Sequence, residues 1–166
     1  MSEKFIINEC CAEDVNCPFR DLWLALADEM YELEHYTLPT ESNANSWIKY
    51  IREGIQNKRN LVLGAFIENQ LVGFISASLS RTFSWDIAER MASIDDLYVL
   101  PVFRRRGIAT KLMVECLDRL ESSGSQSVRV NLISSNESAL SLYAKLGFNI
   151  YRHSMKKELD PKQKIE

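Results

Sequence analysis

Residues 95–112, Asp-Asp-Leu-Tyr-Val-Leu-Pro-Val-Phe-Arg-Arg-Arg-Gly-Ile-Ala-Thr-Lys-Leu, change their hydrophobic period part-way along. Leu97 and Val99 alternate with Tyr98, which predicts a strand. Pro101 has no N–H to give a ladder and ends it. Ile108, Leu112, Cys116 and Leu120 then recur every four residues, widened by Met113 and Leu117, so a helix follows. Gly124 is placed to cap that helix. A chain built around this strand–turn–helix unit mixes sheet and helix, an α/β (α+β) class.

The turn inside the unit is chemically distinctive. Arg104, Arg105 and Arg106 stand directly before Gly107, where the helix begins. The first N–H groups of a helix have no partner within it, and the helix dipole adds partial positive charge there. Gly107 and the small Ala109 let a ligand approach the backbone. Together these features suit a polyanion, a phosphate or pyrophosphate. The alternative is a solvated basic turn before an ordinary core helix. The sequence has neither Gly-x-x-x-x-Gly-Lys-Ser/Thr nor Gly-x-Gly-x-x-Gly, so a P-loop and a Rossmann fingerprint are both excluded.

Charge sharpens the contrast. The chain has 166 residues and a formal net charge of −3, so a basic cluster in an acidic protein reads as a dedicated anion site, and no nucleic-acid partner is expected. The length suits one domain over 1–166. Cys10, Cys11, Cys17 and Cys116 fit no zinc spacing, and His35 and His153 add no ligand cluster, so no metal is expected. Met1-Ser2-Glu3-Lys4 leads straight into a strand-like run, read as lacking a secretory leader. No apolar stretch approaches a membrane span, so no membrane partner is expected. Reduced thiols then point to the cytoplasm.

Taken in order, Phe5–Cys10 reads as a strand. Pro18 opens a helix striped by Phe19, Leu22, Trp23, Leu26, Met30 and Leu33. Its carboxylates Asp28, Glu29, Glu32 and Glu34 read as a solvated face, with a collective pull on a cationic substrate as the alternative. Residues 36–45 read as a polar connection containing Pro39. Trp47, Ile48, Ile51 and Ile55 mark a second helix, and Tyr36 and Trp47 read as core or rim aromatics. Residues 61–67 and 71–79 form a hairpin around Glu68-Asn69-Gln70. Residues 80–89 form a loop bearing Phe83 and Trp85, and a strand covers about 91–100. Beyond the arginine turn and its helix come a strand at 127–133 and a helix at 137–146 capped by Asn136. Gly147 stops that helix. A final strand at 150–158 and a fraying tail at 160–166 complete the chain.

This order, with Arg104-x-x-Gly107-x-Ala109 after a strand and Asn136…Tyr143-x-x-x-Gly147-Phe148 further on, resembles the GCN5-related N-acetyltransferase (GNAT) superfamily. The resemblance is strong over 93–150 and weak before residue 60. It implies a mixed, mostly antiparallel sheet of 6–7 strands with about four helices, strands four and five splaying apart for coenzyme A. It implies acetyl-CoA as co-substrate and a primary amine of a small molecule or peptide as acceptor, for which the acidic balance leans toward a cationic amine. A homodimer is an expected assembly. A CoA-binding regulatory module without turnover is the alternative.

Roles follow from the same resemblance. Asp95 aligns with the acid that serves as base in relatives; an unperturbed Asp is a poor base for an ammonium, so its pKa must rise or water must relay the proton. Asp95 and Asp96 are expected on opposite sheet faces. Leu97, Tyr98 and Val99 would pair with the pantetheine arm as an added strand. Arg104, Arg105, Arg106, Gly107, Ile108, Ala109 and Thr110 would hold the pyrophosphate, and Asn136 would touch the arm. Tyr143 shares a helix face with Asn136 by spacing and is the proposed acid. The alternative for Tyr143 is a packing tyrosine whose hydroxyl bonds a carbonyl.

Overall fold

The structure is a computed structural model that describes residues 4–35, 37–79 and 90–157. A five-stranded sheet runs in the order β1 (Ile6–Glu9), β2 (Asn60–Ile67), β3 (Gln70–Leu79), β4 (Met91–Val99) and β5 (Ser127–Val130). The first four strands pair antiparallel, and β5 lies parallel to β4. Parallel neighbours need a crossover, which here is α3 (Ile108–Ser122). The other helices are α1 (Cys17–Glu34), α2 (Glu41–Gln56) and α4 (Glu137–Lys145).

Helices cover both faces of the sheet. On one face, Phe19, Leu22 and Trp23 of α1 and Ala44 and Ile51 of α2 pack against Val62, Phe74 and Tyr98. On the other, Ile108, Leu112, Met113, Cys116 and Leu120 of α3 and Tyr143 of α4 pack against Leu63, Ala65, Ile75, Ile94 and Val99. Double coverage explains why the central strands read as nearly continuous apolar runs. The β2–β3 turn is tight because Glu68 (φ 47°) and Asn69 (φ 67°) both take the left-handed conformation a two-residue hairpin needs, while Ile67 pairs with Gln70.

Two expectations are corrected. Residues 41–45 are not connection but the first turn of α2, because the Thr40 side chain accepts a hydrogen bond from the Asn43 N–H at 3.2 Å and caps the helix earlier than its apolar stripe begins. The expected strand at 150–158 is not formed over its described part, residues 150–157, and among described residues the sheet has five strands rather than 6–7. There Ile150, Tyr151 and Met155 are exposed, so the apolar residues that suggested a strand have no buried face to fill. The expectations for Tyr36, the loop with Phe83 and Trp85, and the tail lie outside the described residues. Among described residues no helix is long and apolar enough to cross a membrane.

Candidate active site

Two irregularities in β4 build the site. The first is a bulge. Ser76 of β3 faces Asp96, but the next residue, Ala77, faces Ile94, so Asp95 is an extra residue in β4. A bulge resets the alternation of side chains. Asp95 Oδ1 accepts from Ser78 Oγ at 3.2 Å, and Asp96 Oδ2 accepts from Ser76 Oγ at 2.6 Å. Ser76 and Ser78 are two residues apart on one strand and share a face. Both carboxylates therefore lie toward the α1–α2 side, which corrects the expectation of opposite faces.

The two acids differ in their surroundings. Asp96 also accepts from the Trp47 indole N–H at 3.0 Å, and Trp47 stacks on Trp23 and meets Phe74 edge-on. Loss of hydration pushes the Asp96 carboxyl up; the Ser76 and Trp47 bonds oppose this, and the neighbouring Asp95 charge adds to it. Asp95 is the more open of the two. Its pKa is also raised, by desolvation first, against hydrogen bonds from Ser78 and Ser93 and the charge of Arg129.

The second irregularity is the parting of β4 and β5. Their pairing runs from Met91–Ser127 to Ile94–Val130, and among described residues β5 extends no further. Along β3 and β4 the Leu100 N–H donates to the Val72 carbonyl at 2.9 Å. Antiparallel alternation then turns the backbone groups of Tyr98 toward β3 and those of Leu97 and Val99 away from it, into the gap beside β5. Sequence reasoning expected this splay.

Beyond β4 the chain makes a 3₁₀ turn at Pro101–Phe103, then takes positive φ at Arg105 (63°) and Gly107 (81°) before α3 starts. The Gly107 carbonyl accepts from the Lys111 N–H at 2.9 Å, which leaves the N–H groups of Ile108, Ala109 and Thr110 at the helix mouth. A Cβ built on Gly107 would meet nothing within 4 Å, so the space beside it is open to a ligand. The three arginines diverge. Arg104 turns back onto Val99 and Glu29, with Nε donating to the Val99 carbonyl at 2.8 Å. Arg106 donates to the Val102 carbonyl at 3.2 Å and lies over the Phe103 ring. Arg105 is exposed. The turn thus offers its backbone and Arg105 to an anion, while the Arg104 side chain is engaged elsewhere.

The α4 residues fall where the spacing placed them. Asn136 caps the helix, its Oδ1 accepting from the Ala139 N–H at 3.1 Å. Tyr143 is buried within the α3–α4 core beside Phe148. Desolvation pushes its phenol up to about 12. Its hydroxyl makes no hydrogen bond to a described residue.

Ser76, Ser78, Ser93, Trp47 and Glu29 belong to this constellation and were not singled out as site residues. Apart from Ser93, which shares β4 with Asp95, their contacts cross 17 to 75 positions of sequence, and the signal that could have found Ser76 and Ser93 is a polar residue inside an apolar strand run. Among described residues no group of three or more His, Cys, Asp or Glu side chains could hold a metal ion, and the four cysteines are free thiols.

Comparison with known proteins agrees with this geometry. Residues 20–148 match the model of the acetyltransferase (GNAT) family, so the likeness reaches well ahead of the motifs in β4 and α4. An uncharacterized N-acetyltransferase of Archaeoglobus fulgidus is 29% identical over 86 residues, 52% of this chain and 56% of that protein, little more than half its length. The [ribosomal protein bS18]-alanine N-acetyltransferase of Salmonella typhimurium is 25% identical over 114 residues, 69% of this chain and 72% of that one. Among solved structures, AAC(6')-Iy in complex with the bisubstrate analogue CoA-S-monomethyl-acetylneamine superposes with a TM-score of 0.73 at 16% identity, over 95% of this chain and 99% of that one. At that identity the likeness is one of fold. A β4 that bulges, parts from its parallel neighbour and runs into an arginine–glycine turn, together with a family match over most of the chain, leads to one conclusion: this protein belongs to the GNAT family of acetyltransferases.

Proposed function

We propose that the chain is a single N-acetyltransferase domain that passes an acetyl group from acetyl-CoA directly to a primary amine of a small molecule or peptide. The observation that carries this reading is the gap beside Leu97–Val99, followed a few residues along the chain by the open turn at Gly107. An extended arm ending in phosphates matches that shape. The Leu97 and Val99 backbone would take the arm as an added strand. The N–H groups at the start of α3 and the Arg105 guanidinium would take the phosphates.

Acetyl-CoA would bring a thioester, an acetyl group already activated for attack. The protein has three tasks. An alkyl ammonium must lose a proton, and Asp95 sits at the bulge with its pKa raised in the direction a base needs. The oxyanion needs a donor, which the Leu97 N–H facing the gap can supply. The departing sulfur needs a proton, and Tyr143 holds one at neutral pH because its pKa stands at about 12. Asp95 lies toward the α1–α2 side and Tyr143 in the α3–α4 core, so base and acid would approach the gap from opposite faces.

The ribosomal-protein relative supports a peptide amine as one acceptor class, and the neighbour bound to an acetylneamine analogue supports an amine on a small molecule. Exposed free thiols at Cys11 and Cys17 support a cytoplasmic setting. The test is release of free CoA from acetyl-CoA across a panel of polyamines, amino-sugars and peptides. Steady release with at least one amine is expected. Tight CoA binding with no turnover on any amine would make the protein a binding module instead.

A further inference from the structure

The Arg104 guanidinium is held on three sides. Nε donates to the Val99 carbonyl at 2.8 Å, Nη2 donates to Glu29 Oε1 at 2.6 Å, and the guanidinium carbon lies 5.2 Å from the centre of the Tyr98 ring. The Tyr98 hydroxyl donates to the same Glu29 oxygen at 3.0 Å. Glu29 stands on α1, while Tyr98 and Arg104 bracket the end of β4 and the start of the turn.

These contacts oppose a phosphate role for the Arg104 side chain. A guanidinium spends its directional donors on the partners it faces. Two of Arg104's are committed, one to a carboxylate and one to the Val99 carbonyl, which faces the gap left by β5. Moving it onto a phosphate would strand both. The Val99 carbonyl would lose its partner in the gap, and Glu29 would keep only Tyr98.

We propose that Glu29, through Arg104, is the positioning residue of the acetyl-CoA turn: it fixes the turn against the acceptor-side helix α1, so that the turn meets the phosphates through its backbone and Arg105. This rests on the acetyl-CoA reading above. Because one carboxylate anchors β4 and the turn together, the arm-binding edge and the phosphate-binding backbone keep a fixed spacing without the cofactor's help. Preorganisation of this kind raises affinity by removing an ordering cost from binding.

A ligand role and a positioning role for Arg104 predict opposite signs. The measurement is CoA affinity by isothermal titration calorimetry on the full chain: wild type, Glu29→Gln, Arg104→Gln and the double variant, each checked by circular dichroism. Positioning predicts that Glu29→Gln weakens CoA binding by about threefold to tenfold, the scale of one partly exposed charged contact. The double variant should lie within about twofold of Arg104→Gln, because the two residues act as a unit. The KM for acetyl-CoA should rise in step while kcat with a reactive amine stays within about twofold for Glu29→Gln. Tyr98→Phe, which removes one donor from Glu29 and keeps the ring, should weaken binding in the same direction and by less. If Glu29→Gln tightens CoA binding, the carboxylate was competing with the phosphate for Arg104 and the proposal is overturned. Additive losses overturn it too. Wild-type protein that binds no CoA overturns the acetyl-CoA reading and this one with it.

Discussion

The two halves of β4 share one backbone and one apolar character but do different work. From Met91 to Ile94 the strand is paired on both edges, with β3 and β5, and Ala92 and Ile94 sink into the α3–α4 core. From Asp96 to Val99, among described residues, it is paired on one edge only. Asp95, the bulge residue, divides them. In the first half the ladder satisfies the backbone, and the residues contribute burial. In the second, the N–H groups of Leu97 and Val99 face away from β3 into the gap beside β5, where the proposed arm of the cofactor would pair with them. A strand becomes a binding element when its neighbour departs while the strand itself stays anchored.

The largest effect should come from the turn that the open half feeds. Gly107→Val places a branched side chain where φ is 81° and fills the space beside the helix mouth. The left-handed strain alone costs about 1–2 kcal/mol, and the side chain would take the room proposed for the phosphates. Calorimetry should detect no CoA binding, with circular dichroism showing the fold intact; unchanged affinity would defeat the turn assignment. The anchored half gives the control. Ile94→Ala, at a position 3% exposed, should lower unfolding stability by roughly 2–5 kcal/mol in a denaturant titration. Its KM for acetyl-CoA should stay near wild type wherever the protein is folded. A KM change as large as the one at Gly107 would erase the distinction between the halves.

Tyr143→Phe keeps the buried ring beside Phe148 and removes only the proton. A fall of about 10²-fold in kcat is expected, with acetyl-CoA affinity little changed. Wild-type kcat with chemistry rate-limiting would return Tyr143 to a packing role. Asp95→Asn should slow turnover by about tenfold or more near neutral pH. The deficit should shrink as pH rises and free amine becomes abundant, which a pH–rate profile of both proteins would reveal. If Asp96→Asn behaves this way instead, the base is the acid anchored by Trp47.

The smallest effect is one of stability. The folded Asp96 carboxyl has a raised pKa, chiefly through desolvation. A raised carboxyl contributes stability while protonated, and this is lost as pH rises through the folded pKa. At neutral pH the charged form is therefore a liability, and Asp96→Asn should raise the melting temperature by about 2–4 °C, the shift worth about 1 kcal/mol in a chain of this size. The gain should fade as pH drops toward the unfolded carboxyl range. A melting temperature that falls at neutral pH would mean the charge–Trp47 bond outweighs the desolvation.

What the sequence determined by itself is whatever a few adjacent residues can decide. The turn at Gly107, the stop at Gly147 and the cap at Asn136 all depend on contacts within a turn or two of helix. So do the apolar stripes of the helices and the doubly covered strands. These were legible, and with them the family. Only the tertiary structure decided which way Asp95 and Asp96 face, because a bulge is a property of two paired strands, and β4 alone reads as plain alternation. Long-range contacts likewise turned Arg104 onto Glu29, 75 positions away, and brought Trp47 to Asp96, 49 positions away. Residues 150–157 mark the same boundary from the other side. Their apolar pattern favours a strand, yet a strand exists only where an edge pairs with it, and along the described residues none does. Propensity and periodicity are local energies; the face a side chain takes, and the partner it finds, are set by which distant segment packs against it.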